Sequence, residues 1–76
     1  MTMTEPMIIK QAEDVTPQCL RASEEVFEGF FDNEGEPIDW YSFWDRLEAY
    51  GYTVLELDSP ATRKIQRHIR KFREVG

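Results

Sequence analysis

The chain has 76 residues, a net charge of −6 and 41% hydrophobic residues, which leaves room for one small domain. Its single cysteine excludes an intrachain disulfide, and its longest uninterrupted apolar run, three residues, is too short for a membrane span. Because the chain does not begin with a secretory signal pattern, the sequence predicts a reduced, cytoplasmic protein that does not enter a membrane.

Charge is divided unevenly along the chain. Residues 1–58 carry fourteen acidic and three basic side chains, a net charge of −11, whereas residues 59–76 carry six basic and one acidic, a net charge of +5. A reversal of sign between segments steers charged partners, or draws one segment towards the other. The sequence therefore predicts two charged surfaces of opposite sign.

The first dozen residues show no helical period, so the sequence predicts a flexible arm over residues 1–12, followed by a single helical domain over 13–76. A short strand over residues 7–10 is the competing interpretation. Three helices follow, near residues 17–31, 39–50 and 60–75. Thr16 before Pro17 and Asp39 are N-cap residues, and Gly51 suits a left-handed helix end. Asp58-Ser59-Pro60 repeats the cap-then-proline pattern at the start of the third helix.

Residues 52–57 are rich in strand-forming side chains. They form either a short strand that pairs with residues 7–10 or an extended linker over the core. The predicted fold class is therefore mainly α, a small three-helix domain with an extended segment and a minor two-stranded pairing. The helical period predicts a core of Val26, Phe27, Phe30, Trp40, Phe43, Trp44, Leu47, Ile65, Ile69 and Phe72.

Two stretches within residues 38–74, IDWYSFWDRLEAYGY and LDSPATRKIQRHIRKFRE, resemble small uncharacterised proteins encoded by tailed phages of actinobacteria. The most particular part is the Ser-Pro-Ala-x-Arg-Lys-Ile start of the third helix. The resemblance implies a viral origin and a helical build, and it implies no chemistry.

Catalytic and metal-binding patterns are missing from the sequence. Cys19 and His68 are the single thiol and the single imidazole, and both fall on or beside apolar helix faces, which argues against a catalytic pair. Cys19 is predicted to be a small core residue, and His68 a residue at the edge of the core whose ring has a backbone or carboxylate partner. A zinc site requires more Cys or His ligands, and the acidic loop 32–39 does not follow the spacing of a calcium-binding loop. The sequence predicts a protein that is not an enzyme and has no cofactor or metal.

The predicted interaction residues form an acidic and a basic set. The acidic face comprises Glu24, Glu25, Glu28, Asp32, Glu34 and Glu36, with Tyr41 exposed among carboxylates on the second helix. The basic face comprises Arg63, Arg67 and Arg70, flanked by Lys64, Lys71 and Arg73.

Three hypotheses fit these faces. A protein partner, such as a host or defence protein, could be bound and occluded through one charged face. The acidic face could occupy a cationic groove of this partner, while Tyr41 or the basic face contacts the edge of the interface. Alternatively, the basic helix could contact nucleic acid, although the net charge of −6 opposes this. In the third hypothesis both faces are solvated, or they meet each other within the monomer or across a homodimer.

Overall fold

A computed structural model describes residues 7–31 and 37–75. They form a mainly α domain, which confirms the predicted fold class. In chain order the elements are β1 (Met7–Ile8), a 3₁₀ turn (Ala12–Asp14), α1 (Pro17–Val26), a π-helical turn (Phe27–Phe31), α2 (Trp40–Glu48), β2 (Tyr52–Thr53) and α3 (Pro60–Val75). Within these residues, no helix has both the length and the apolar character needed to cross a membrane.

The segment that precedes the helices is part of the fold. β1 pairs with β2 in parallel, Met7 opposite Tyr52, and the Ile9 N–H donates to the Thr53 carbonyl at 3.0 Å. Ile9 is 1% exposed and belongs to the core. The predicted pairing with residues 7–10 is confirmed, whereas a flexible arm reaching residue 12 is wrong for residues 7–12, because strand pairing and burial of Ile9 fix them. Residues 1–6 lie outside the described part.

α1 begins as predicted and ends with a wider turn. The Cys19 N–H donates to Thr16 Oγ1 at 3.2 Å, with Pro17 at the first helical position. The last residues of the helix, Phe27–Phe31, form a π-helical turn. Because a π turn closes its hydrogen bonds over five residues, it rotates each residue less than an α turn does. Phe30 is consequently directed towards solvent and is 50% exposed, so its prediction as a core residue is wrong.

The starts of α2 and α3 are fixed by short polar side chains. At the start of α2, the Ser42 hydroxyl donates to Asp39 Oδ2 at 2.9 Å. The other end of α2 is followed by Gly51, which has a positive φ of 96°. At α3, the Ser59 N–H donates to Thr62 Oγ1 at 2.9 Å, and the Thr62 N–H donates to Ser59 Oγ at 3.2 Å. This reciprocal pair satisfies two backbone donors that have no partner within the helix.

The core lies where α1 packs against α2 and α3. The ring of Phe27 meets Phe72 of α3 at 6.0 Å, and that of Phe31 meets Phe43 of α2 at 5.7 Å. The π turn therefore contacts both other helices through aromatic rings, α3 through Phe27 and α2 through Phe31. The predicted core residues found buried are Val26, Phe27, Phe43, Trp44, Leu47, Ile65 and Ile69, while Trp40 and Phe72 are partly buried against them.

Candidate interaction surface on the third helix

The two sides of α3 differ sharply in burial. Ala61, Ile65 and Ile69 are fully buried, whereas Arg63, Arg67 and Arg70 are exposed. This separation follows from the helical period, which places residues three and four apart on one side. These three arginines of the predicted basic face are thus exposed to solvent, while the opposite side of the same helix is packed in the core.

Two cations near the start of α3 are engaged by the chain. Arg63 forms a 2.8 Å ion pair with Asp58. The Lys64 ammonium donates to the carbonyls of Ala12 and Val15, at 3.2 and 3.4 Å. These carbonyls lie at the 3₁₀ turn, so Lys64 fastens α3 to the segment before α1. Arg63 and Lys64 therefore support the fold as well as contributing charge.

The basic patch, defined here as Arg67, Arg70 and Lys71, is different. All three side chains are exposed, and none forms an ion pair with any residue in the ranges 7–31 and 37–75. Arg67 is separated from the other two by three and four residues, so all three lie within one turn of each other. The patch concentrates three positive charges that form no ion pair within the described part of the chain.

Grooves flank the basic patch on both sides. One, between α1 and α3, lies against Leu20, Arg67 and Lys71 and has a volume of about 250 Å³. The other lies between the start of α2 and the end of α3, also with a volume of about 250 Å³, and is lined by Pro37, Ile38, Trp40, Arg70 and Arg73. We call the second groove the Trp40 groove; it places the ring of Trp40 beside Arg70 of the basic patch.

The predicted acidic face is less continuous than the sequence suggests. Glu24 Oε2 lies 2.6 Å from His68 Nε2, and the two side chains are 29% and 33% exposed. Glu24 therefore turns towards α3. Of the predicted acidic-face glutamates in the described residues, Glu25 on α1 and Glu28 in the π turn are exposed, and Arg21 is exposed on the same helix as Glu25. The other predicted members, Asp32, Glu34 and Glu36, lie outside the described residues.

Tyr41 is 73% exposed and stands apart from the Trp40 groove, although it follows Trp40 directly. Its helical position groups it with Asp45 and Glu48, which are exposed too. Its side chain belongs to the acidic side of α2.

The single thiol and the single imidazole of the chain are held in separate environments. Cys19 is fully buried, and desolvation raises the pKa of its thiol to about 11, although Lys64 and a hydrogen bond with Ser23 act in the opposite direction. His68 is paired with Glu24. Among the described residues, no group of three or more His, Cys, Asp or Glu is placed to hold a metal ion. A buried thiol with so high a pKa is a poor nucleophile at neutral pH.

Comparisons with protein-family models, curated proteins and solved structures found no match to this chain. The candidate surface therefore rests on geometry. Sequence patterns located its cations, but they missed the Trp40 groove, because it depends on how α2 and α3 approach each other. They also missed the contacts of Lys64 with the carbonyls of Ala12 and Val15, because these residues are separated from Lys64 by 52 and 49 positions in the sequence.

Proposed function

We propose that this chain is a small, non-enzymatic interaction protein that binds and occludes another protein through the basic patch on α3. The observation that carries the proposal is that Arg67, Arg70 and Lys71 are exposed without an ion-pair partner in the described part of the chain, whereas Arg63 is paired with Asp58. Clustered cations of this kind accelerate encounter with an acidic surface and select against basic ones.

The charge of the rest of the molecule favours a protein partner over nucleic acid. The chain has a net charge of −6, and a polyanion presents negative charge along its whole length, so it cannot approach the basic patch without also facing the acidic body. A protein can place carboxylates opposite the patch and cations elsewhere.

The resemblance of residues 38–74 to phage-encoded proteins extends the proposal. A protein of viral origin would act in the cytoplasm of its host, where it would occlude a host or defence protein. The acidic residues Glu25 and Glu28 and the exposed ring of Tyr41, which lie outside α3, are secondary contacts in this proposal. A complex held mainly by the acidic face would contradict this assignment.

Two charge-reversed variants test the proposal. The patch variant, Arg67→Glu with Lys71→Glu, and the control variant, Lys10→Glu with Arg21→Glu, both change the net charge from −6 to −10 by replacing exposed side chains. We expect captured protein from a host lysate to be lost with the patch variant and retained with the control, with circular dichroism showing both folded. Equal retention by the two variants would overturn the proposal.

Nucleic acid is the second candidate, because three cations within one turn of a helix also suit phosphate contacts. A gel-shift assay with duplex and single-stranded DNA distinguishes it. Binding that requires Arg67 and Lys71, and whose affinity falls steeply with salt concentration, would replace the protein partner with nucleic acid.

A further inference from the structure

The basic patch explains how an acidic partner is attracted to α3, but it does not explain how that partner is bound tightly. Exposed charges at the rim of an interface mainly change the association rate, while most of the binding energy comes from a few side chains that fill water-excluded pockets. Trp, Tyr and Arg are the residues most often found at such positions. The Trp40 groove places Trp40 beside Arg70, so it combines two of these side chains next to the patch.

The ring of Trp40 is held in place before any partner arrives. It stacks on Trp44, with ring centroids 5.4 Å apart and planes 24° apart, and it meets Phe43 edge-on at 5.0 Å. Trp44 and Phe43 are 5% and 0% exposed, so the support is rigid. Trp40 itself is half-buried. Binding against a fixed ring costs little side-chain entropy.

The rim of the same groove is cationic. Arg70 belongs to the basic patch, is exposed and lines the groove together with Pro37, Ile38 and Trp40. A guanidinium group offers N–H donors in a planar fork that matches a carboxylate. The apolar side chains of the groove can contact an aromatic side chain of a partner, while the guanidinium group of Arg70 can pair with a carboxylate next to that aromatic residue in the same segment.

We propose that the Trp40 groove is the anchor of the interface, and that it takes an aromatic side chain from an acidic segment of the partner protein. A neighbouring carboxylate of that segment pairs with Arg70, while further carboxylates face Arg67 and Lys71. The inference rests on the proposed function, since the basic patch attracts the segment whose aromatic residue the groove holds. It adds a prediction that charge alone does not make: a purely acidic segment binds weakly.

The two tryptophans of the chain provide the assay. Their indole N–H groups give two signals in a ¹H–¹⁵N NMR spectrum, which the Trp40→Phe variant assigns. The probe is the peptide acetyl-Glu-Glu-Phe-Glu-Glu-amide, compared with versions that carry Ala in place of Phe or Gln in place of every Glu. We expect the Phe-containing acidic peptide to shift the Trp40 signal saturably. The Ala peptide should bind about tenfold more weakly, the order of magnitude for burying one aromatic side chain. The Gln peptide should also bind more weakly, because it lacks the carboxylates that pair with Arg70 and face Arg67 and Lys71.

Matched variants separate the groove from the patch. Arg70→Gln and Lys71→Gln each remove one charge from α3, but only Arg70 lines the Trp40 groove. We expect Arg70→Gln to reduce the preference for the Phe peptide over the Ala peptide, and Lys71→Gln to weaken both peptides equally. The spectrum of each variant also reports whether it is folded.

Three results would overturn the inference: a Trp40 signal that does not move, equal affinity for the Phe and Ala peptides, or tighter binding of single-stranded oligothymidine at the same salt concentration. Failure of the anchor is distinguishable from failure of the proposed function. If acidic peptides shift backbone signals of Arg67 and Lys71 without affecting Trp40, the patch retains its role and the anchor is withdrawn. If no acidic peptide perturbs any of these residues, both are withdrawn.

Discussion

His68 Nε2 lies 2.6 Å from Glu24 Oε2, so a hydrogen-bonded side-chain pair joins α3 to α1 at the edge of the core. The side chains are 33% and 29% exposed, which partly shields the pair from solvent. This contact decides how the charged surfaces are divided. Because of this contact, Glu24 is not part of the exposed acidic face. It links α1 to α3, the helix that carries the basic patch.

Replacing Glu24 should therefore cost stability, whereas replacing its neighbour should not. We expect Glu24→Ala to lower the free energy of unfolding by about 1 kcal/mol, because His68 loses its partner. Glu25→Ala, the matched control, removes an exposed carboxylate and should change stability by less than about 0.5 kcal/mol. Urea unfolding measures both. Equal stability of the two variants would show that the Glu24–His68 pair does not hold α1 to α3.

Local chemistry made the helices predictable from sequence. Thr16, Asp39 and Ser59 lie where short polar side chains accept the first free backbone N–H groups, and the structure places a cap at each. Gly51 adopts the positive φ that its position after α2 predicts. Each of these features depends on a few consecutive residues, so no knowledge of the tertiary fold is needed.

Two of the failures originate in contacts between distant segments, and that of Phe30 originates in an irregular helix end. Phe30 follows the apolar period of α1, but the π turn rotates it out, and the guanidinium carbon of Arg46 lies 3.8 Å from its ring centroid. Ile9 is buried because β1 pairs with β2, which is more than forty residues away. Glu24 fits an acidic stripe on its own helix and is redirected by His68. Helical periodicity contains none of this information.

Asp14 gives a prediction about pH. Its Oδ2 accepts the N–H groups of Gln11 and Lys10, at 2.8 and 3.0 Å, and these hydrogen bonds hold the pKa of the carboxyl below its ordinary value of 3.8. A lowered pKa contributes stability that is present above the ordinary value and is lost as pH falls through the value in the folded state. Asp14 should therefore stabilise the turn at neutral pH and stop doing so in acid.

We expect the stability difference between the wild type and Asp14→Asn to shrink as pH falls below the ordinary value of 3.8. The exposed neighbour Glu13 provides the control, since Glu13→Gln should show no comparable pH-dependent difference. An NMR titration of the Asp14 carboxyl tests the cause directly. A midpoint at or above 3.8 would contradict the hydrogen-bonding explanation.

Cys19 should be unreactive in the folded protein. It is fully buried, and burial raises the pKa of its thiol to about 11, so at pH 8 about a thousandth of it would be thiolate even if reagent could reach it. We expect labelling by a thiol reagent to proceed only through opening of the structure, and to accelerate in urea as the chain unfolds. Fast stoichiometric labelling in native buffer would show that α1 is not packed as described.

Trp44 should be the side chain whose loss is most damaging. It is 5% exposed, and Trp44→Ala should cost about 3–5 kcal/mol, comparable with the whole stability of a domain this small. Its Nε1 has no hydrogen-bond partner among the described residues, so Trp44→Phe removes an unsatisfied donor and should cost less than Trp44→Ala. Thermal unfolding followed by circular dichroism measures both. An unchanged melting temperature for Trp44→Ala would refute the packing of α2.

Lys64 and Lys71 should differ in what they stabilise, although both are exposed cations on α3. The Lys64 ammonium reaches two backbone carbonyls, at 3.2 and 3.4 Å, whereas Lys71 belongs to the unpaired basic patch. We expect Lys64→Met to lower the free energy of unfolding by about 0.5–1 kcal/mol, and to increase hydrogen exchange at the Ala61 N–H, which donates to the Lys10 carbonyl at 3.2 Å. Lys71→Met changes the net charge equally, from −6 to −7, and should weaken partner binding without affecting stability. If Lys71→Met destabilised the protein as much as Lys64→Met, the patch would be part of the fold, and its assignment as a binding surface would fail.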